Sequence, residues 1–188
     1  MGQTGQRRGS MATHDRRFTR RAMVGASASF MVAAAGGSHE AMGTPADGAS
    51  LAAAIEQSHR ALRAILNGDP TLYEALFAER DDITLGNPFG PYARGRAAVS
   101  KTLAGAAAKY RDGEVVGVEL VATYANGNIA CVVEVEHDRA KVGAANELAE
   151  FRVRVTSVYE RLKGHWRLVH RHADPITTPR PAESVLGG

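Results

Sequence analysis

Apolar residues change their spacing midway along the chain, and this change divides it into a helical part and a strand part. From residue 51 to 66 they recur at intervals of three or four, after Ser50, which can cap a helix. The same spacing predicts shorter helices at 70–77 and at 96–110. Between these two helices, residues 81–95 are typical of one short strand followed by a loop rich in glycine and proline.

In the second half, apolar and polar residues alternate, which is the period of a β-strand. Strands are predicted at 114–125, 128–137, 149–160 and 165–173. Strands that follow one another through turns form an antiparallel meander. Three helices followed by such a sheet predict an α+β fold, in which the helices cover the concave face of a curved, mostly antiparallel sheet.

The first 35 residues have the layout of an export signal. Paired arginines precede an apolar stretch at 22–35, which ends in three alanines, and residues 19–24 resemble the twin-arginine motif. We therefore expect export to the periplasm, with 36–50 as a linker; a cytoplasmic protein with a basic extension is the alternative. The apolar stretch is too short, and too rich in small residues, for a stable membrane span.

The net charge of +3 is concentrated in this leader. Six arginines and one aspartate precede residue 36, so the rest of the chain is slightly acidic. The folded part therefore has no basic excess to offer a nucleic acid, and we expect none as a partner. A single cysteine, Cys131, excludes an intramolecular disulfide and a zinc site built from cysteines.

Two stretches resemble the nuclear transport factor 2-like superfamily, which includes SnoaL-like and ketosteroid-isomerase-like domains. Residues 67–99, NGDPTLYEALFAERDDITLGNPFGPYARGRAAV, resemble the isomerase stretch that joins the second helix, first strand and third helix. Residues 164–174, GHWRLVHRHAD, are similar to the last strand of SnoaL-like proteins and of the calcium/calmodulin-dependent kinase II association domain. The resemblance implies a cone-shaped roll over residues 51–176, with a pocket between helices and sheet, followed by a tail at 177–188.

The resemblance also implies where an isomerase would carry its catalytic groups, and this chain lacks them. The general-base aspartate falls on Asn87, the tyrosine falls near Ala61, and the second aspartate falls near Thr156 or Ser157. An amide can form hydrogen bonds but cannot abstract a proton near neutral pH. Steroid isomerisation by the usual aspartate is therefore not expected.

Two arrangements of the predicted sheet stay open, because its strands have one apolar and one polar face. Phe151, Val153 and Val155 form an apolar face, and Arg154 and Thr156 lie on the other. In the first arrangement the polar face lines the pocket and the apolar face forms a homodimer interface. In the second the apolar face packs on the helices and the charges are solvated. The resemblance favours the first for Arg154 and for the two histidines of the last strand.

The last predicted strand carries those two histidines, and they are the catalytic candidates. Trp166, Leu168, His170 and His172 are expected to share one side of the strand, because side chains alternate along it. Imidazoles titrate near neutral pH, which suits acid–base chemistry; a structural role is the alternative. The spacing His170-x-His172-x-Asp174 would permit a metal ion, but further ligands are not evident, and we expect none.

The ligand-binding candidates lie in the loop before the third helix and on the last two strands. We expect the ligand to contact Asp82, Asn87, Tyr92, Arg154, Thr156 and Trp166. The resemblance implies a pocket for a small, partly apolar, oxygenated or anionic organic molecule, without a cofactor. For an enzyme, the hypothesis is isomerase, cyclase or hydratase chemistry through histidine. The alternative is a non-catalytic dimerisation or binding module with a vestigial pocket.

Overall fold

Three helices lie against one face of a six-stranded sheet in the computed structural model, which describes residues 50–186. The predicted leader at 1–35 and all but the last residue of the predicted linker at 36–50 lie outside the described residues. Among the described residues, no helix has the length and apolar character needed to cross a membrane. Within the predicted tail, Ala182–Leu186 form a short 3-10 helix without buried residues.

The helices span Leu51–Ile65 (α1), Thr71–Leu76 (α2) and Arg96–Ala107 (α3), as the apolar spacing predicted. Ser50 Oγ accepts a hydrogen bond from the Ala53 N–H at 3.1 Å, so the predicted cap of α1 is confirmed. The apolar stripe of α1 faces the sheet because its residues recur once per turn; its buried apolar members are Ala54, Ala61, Leu62 and Ile65.

The strands span Thr84–Asn87 (β1), Gly90–Arg94 (β2), Tyr110–Asn126 (β3), Ile129–Val142 (β4), Ala149–Leu162 (β5) and His165–Asp174 (β6). Their order is β2-β1-β6-β5-β4-β3, and every pair except β1 with β6 is antiparallel. The predicted α+β fold is confirmed. The segment predicted as one strand and a loop instead forms the hairpin β1–β2, because Asn87 Oδ1 accepts from the Phe89 N–H and turns the chain.

The apolar face of β5 packs toward the helices, which is the second of the two arrangements considered above. Val153 is 7% exposed and Val155 is 1% exposed within a single chain. Phe151 lies on the same face and is half-buried. The expectation that these three residues form a homodimer interface is therefore wrong, because their side chains are already used in the core.

A β-bulge in β6 separates the side chains that a regular strand would place together. Val158 of β5 pairs with His170, whereas the next residue, Tyr159, pairs with Leu168, so Val169 has no partner of its own. The extra residue reverses the alternation of the strand. Trp166 and Leu168 therefore pack against the core, while the two histidines lie on the outer face, away from the helices. The expectation of one shared side is wrong for this reason.

Candidate functional site

Three carboxylates lie on the helix-facing side of β4, at every second position. Glu134, Glu136 and Asp138 are only 4%, 3% and 2% exposed. Across the sheet they pair with the apolar positions of β5, namely Val155, Val153 and Phe151. A buried carboxylate is costly unless a partner compensates its charge or it takes up a proton. The three residues are distinguished by their partners.

Glu134 is paired with a histidine from α1. His59 Nε2 lies 2.9 Å from Glu134 Oε1, and this hydrogen bond raises the pKa of His59, although burial opposes it. Next to this pair, Ser58 Oγ and the Tyr159 hydroxyl are 2.7 Å apart. These contacts attach the middle of α1 to the sheet, so Glu134 has a structural partner.

Glu136 is paired with Arg171 of β6. The Arg171 Nη2 donates to both carboxylate oxygens at 2.7 Å, and its Nε donates to the Tyr73 hydroxyl at 3.2 Å. Burial raises the pKa of Glu136, and the guanidinium partly offsets this. Burial alone would lower the pKa of Arg171, but Glu136 and Tyr73 raise it above its ordinary value. Arg171 therefore stays positively charged, and its charge is matched by Glu136.

Asp138 has no such partner. Among the described residues, no group forms a hydrogen bond with its Oδ1 atom, although that atom is buried. Burial raises the pKa of Asp138 to about 7; the charge of Glu136 adds to this shift and Arg171 opposes it. Near neutral pH the carboxyl is therefore present in both protonation states, which is the property required of a general acid or base.

Asp138 lines a cavity enclosed by α1, α3 and the concave side of the sheet. The cavity volume is about 70 Å³, several times the roughly 10–15 Å³ that one water molecule needs. Apolar side chains form most of the wall, with contributions from Leu62, Ile65, Leu85, Leu103 and Val153. The polar side chains of the wall are Tyr73, Asn87, Tyr110, Glu136, Asp138 and Arg171.

Aromatic rings surround the mouth of the cavity. The rings of Tyr110 and Phe151 are stacked with centroids 5.8 Å apart, and Phe89 lies 5.6 Å from Tyr110 at a tilt. Phe89 is 39% exposed, so it borders the solvent. Burial raises the pKa of Tyr110 to about 12, with a further contribution from Asp138. Its hydroxyl is therefore neutral at physiological pH and can donate a hydrogen bond to a bound molecule.

The two histidines predicted to be catalytic lie together, but on the outer face of the sheet. His170 Nδ1 is 2.8 Å from Thr84 Oγ1. The Tyr92 ring covers both imidazoles, with centroids 6.1 Å from His170 and 5.4 Å from His172. Burial lowers the pKa of His170, and the neighbouring His172 adds to the effect. These residues form a cluster, but they do not line the cavity.

The other predicted ligand-binding residues are distributed over the molecule. Arg154 binds Asp174 through two hydrogen bonds of 3.0 and 2.9 Å on the outer face, where Thr156 pairs with His172. Asp82 forms an ion pair with Arg80, and Trp166 packs against the core. Asn87, by contrast, lines the cavity. Ligand binding by Asp82, Arg154, Thr156 and Trp166 stays a prediction.

Sequence reasoning missed the cavity residues Asp138, Glu136 and Arg171 because charged positions of a strand were expected to face water. The signal that could have found them is the run Glu134-x-Glu136-x-Asp138. The three acids share one face of the strand, and the next residue on that face is Ala140. The neighbouring strand β5 places apolar residues beside them, which indicates that this face is buried.

Metal ligands and a reactive cysteine would be two other kinds of functional group. Within residues 50–186, no group of three or more His, Cys, Asp or Glu side chains is placed to hold a metal ion. Cys131 is a free, half-buried cysteine on β4. The polar groups of the cavity wall are carboxyl, phenol, amide and guanidinium groups.

The sequence matches the model of the SnoaL-like domain over residues 52–177. Because the match covers more than half of the chain, the protein belongs to the SnoaL-like domain family. The resemblance to the nuclear transport factor 2-like superfamily is thereby confirmed. No curated protein matches closely enough to count as a relative.

Several solved structures are similar to this chain. A nuclear transport factor 2-like superfamily protein from Salmonella enterica serovar Typhimurium is 20% identical, covering 69% of this chain and 91% of that chain, with a TM-score of 0.57. A ketosteroid isomerase-like protein from Erwinia carotovora is 14% identical, covering 72% and 100%, with a TM-score of 0.58. A candidate dehydratase of the same superfamily from Streptomyces avermitilis is 19% identical, covering 70% and 97%, with a TM-score of 0.52. These likenesses establish the fold.

Proposed function

We propose that the protein is an enzyme that performs general acid–base chemistry on a small, largely apolar organic molecule bound in the cavity. Asp138 is the group that transfers the proton. The observation that carries the proposal is a buried carboxyl that lines the cavity, has an unpartnered oxygen among the described residues, and has a pKa of about 7. A group with this pKa exchanges protons efficiently at physiological pH.

The wall residues have separate roles in this proposal. The Asp138 carboxylate removes a proton from a carbon next to a carbonyl group, and the electron pair of that C–H bond moves toward the carbonyl oxygen. The neutral Tyr110 hydroxyl donates a hydrogen bond to this oxygen as negative charge develops. The electron pair then moves back from the oxygen as Asp138 gives up the proton. In an isomerisation of a β,γ-unsaturated ketone the proton joins the γ-carbon and the double bond shifts to the α,β position. In a dehydration the α,β double bond forms as the C–O bond to a β-hydroxyl breaks, and the proton leaves with that hydroxyl as water. The Glu136–Arg171 pair holds the surrounding charges fixed.

Two of the similar structures carry names that suit this type of reaction, a ketosteroid isomerase-like protein and a candidate dehydratase. Because both are less than 25% identical to this chain, they support a shared scaffold, and the chemistry is argued from Asp138. Histidine chemistry, expected from the sequence, would require a ligand on the outer face instead. A non-catalytic binding module is the second candidate, and it would use the same cavity without proton transfer.

Exchange of the α-protons of cyclohexanone in heavy water tests the proposal, with NMR as the readout. We expect the protein to accelerate exchange, and Asp138→Asn to reduce the acceleration by about 100-fold or more, the usual contribution of a general base. The matched control is the double variant His170→Ala/His172→Ala, which we expect to retain the acceleration. Loss of exchange in the histidine variant with retention in Asp138→Asn would favour the histidine hypothesis. Binding of cyclohexanone without any exchange would favour the non-catalytic module.

We further propose that the protein is a homodimer formed through the outer face of the sheet. This face is not covered by any of the helices described above, and it presents half-buried Val133 and Val135 of β4. The exposed rings of Tyr92 and Tyr124 lie on the same side of the sheet. An apolar surface of this kind is typical of a protein contact. The interface differs from the one first expected, because Val153 and Val155 are buried under the helices.

A further inference from the structure

Outside the mouth of the cavity, a groove of about 360 Å³ runs between α3 and the β1–β2 hairpin. Asn87, Phe89 and Ala106 line both the groove and the cavity, so the two spaces meet at the mouth. Small residues of α3 line the groove, among them Ala98 and Gly105. The groove therefore adjoins the cavity along these three residues.

The groove and the cavity differ in charge. Among the described residues that line the groove, Lys101 and Lys109 are charged and none is acidic. The cavity wall instead carries Glu136 and Asp138, with Arg171 as the single cation among its described lining residues. Because Arg171 is already bound to Glu136, a negatively charged ligand group inside the cavity would face Asp138 without compensation. The same group in the groove would face two ammonium groups.

Lys109 is held at the point where the two spaces meet. Its Nζ donates to the Gly105 carbonyl at 3.0 Å and lies 5.0 Å from the centroid of the Phe89 ring. An ammonium group has three N–H bonds, and the carbonyl uses one of them. The side chain is thus fixed beside the mouth with donors left for an anion, and its position reduces the ordering cost of binding.

We infer that the ligand is an amphipathic anion, whose apolar part occupies the cavity and whose carboxylate or similar oxyanion lies in the groove on Lys109, with Lys101 extending the basic surface. This inference rests on the proposed function, since it names the substrate class of the same cavity. It makes Lys109 a specificity-determining residue. The polar end of the ligand therefore lies on Lys109, whereas the sequence predicted that it would contact Arg154.

Gly105 offers a test of the groove that does not depend on charge. A Cβ atom added at this residue would meet no other atom within 4 Å. A larger side chain can therefore project into the groove without disturbing the fold, and replacing glycine within a helix favours folding. Gly105→Leu should fill part of the groove while the protein stays stable.

The experiment compares octanoate with its neutral counterpart octanamide by isothermal titration calorimetry of the full chain at low ionic strength. We expect octanoate to bind about threefold or more tightly than octanamide, the size expected of a partly exposed ion pair. The preference should shrink in 0.5 M salt and disappear in Lys109→Met. The matched control is Lys163→Met, an exposed lysine in the turn between β5 and β6, which should keep the preference. Gly105→Leu should weaken both ligands.

The outcomes separate this inference from the proposed function. Equal affinities for octanoate and octanamide would overturn the inference while leaving the cavity as a ligand site. A preference that survives in the double variant Lys101→Met/Lys109→Met would also overturn it. Binding of neither compound would contradict both the amphipathic ligand and the apolar cavity site. The role of Asp138 is tested independently, by the exchange of cyclohexanone protons.

Discussion

At the scale of single residues, three similar buried carboxylates differ in the side chain that each one contacts. Glu134, Glu136 and Asp138 share a strand, a face and a degree of burial. A histidine stabilises the first and an arginine stabilises the second. The third meets apolar walls, so it retains its proton to a much higher pH than an ordinary aspartate. Of the three acids, Asp138 therefore combines contact with the cavity and the lack of a compensating partner.

Asp138 should make the stability of the protein depend on pH. Its pKa is about 7 in the folded state, against an ordinary value of 3.8. Between these values the folded state binds more protons than the unfolded state, so the free energy of unfolding falls as the pH rises. Asp138→Asn removes this dependence, and at pH 8 we expect it to be more stable than the wild type by roughly 4 kcal/mol.

Urea unfolding of both proteins at pH 5 and pH 8 measures this effect. Asp112→Asn is the matched control, because Asp112 is an exposed aspartate whose pKa is lowered by its hydrogen bond to Lys141. Its backbone has a positive φ of 52°, which asparagine tolerates. If Asp138→Asn and the wild type lose stability in parallel from pH 5 to pH 8, Asp138 does not hold a proton at neutral pH.

The buried pair of Glu136 and Arg171 should be far more sensitive to mutation than an exposed pair. Arg171→Met leaves the Glu136 charge buried without a partner, which costs about 3–5 kcal/mol of stability. Adding Glu136→Leu to that variant should restore part of the loss. The control is Arg154→Met, which breaks the exposed pair with Asp174 and should cost less than about 1 kcal/mol. Equal losses in urea unfolding would contradict this difference.

At the scale of elements, the sequence predicted regular structure well and irregular structure poorly. The three helices and four long strands were readable because apolar residues repeat with the helix period or the strand period. The hairpin β1–β2 was not fully predicted, because its second strand is short and exposed at the sheet edge. The bulge at Val169 has no sequence signal of its own, and missing it placed both histidines on the wrong side.

The candidate site was missed at the same scale. Periodicity gives two faces for each strand but does not say which one meets the helices. Phe151 and Val153 were assigned to a dimer interface, and neither Glu136 nor Asp138 was among the site candidates. The register between β4 and β5 fixes the answer, since Glu136 lies opposite Val153. Asn87, in the loop before α3, was among the ligand-binding candidates, and it does line the cavity.

The contact between α1 and β4 should also respond to pH. The hydrogen bond with Glu134 raises the pKa of His59 above 6.5. The stability from this pair is fully present below pH 6.5 and is lost as the pH rises through the pKa of the folded state. We expect His59→Gln to be less stable than the wild type by about 1 kcal/mol at pH 5.5, with a smaller difference at pH 8.5. A difference that is equal at both pH values would show that folding does not raise the pKa of His59.

At the scale of the whole molecule, the two faces of the sheet have different roles. The inner face and the helices enclose the cavity with Asp138, and the groove leads to it from outside. The outer face carries Val133 and Val135 together with the cluster of Tyr92, His170 and His172. Val133 and Val135 of β4 are not among the described residues that line the groove, which come from α3, the turn that follows it and the β1–β2 hairpin.

Val133 is the residue with which to test the proposed homodimer. It lies on the outer face, opposite Thr156 of β5 and Ala122 of β3. Val133→Asp would place a charge in a dehydrated contact, which costs several kcal/mol and should raise the dimer dissociation constant by about 100-fold or more. Ala104→Asp on the exposed side of α3 is the matched control, and it should leave association unchanged. Sedimentation equilibrium of the full chain gives the dissociation constants. A monomeric wild type would refute the homodimer, and a Val133→Asp variant that associates as tightly as the wild type would show that the contact lies on another surface.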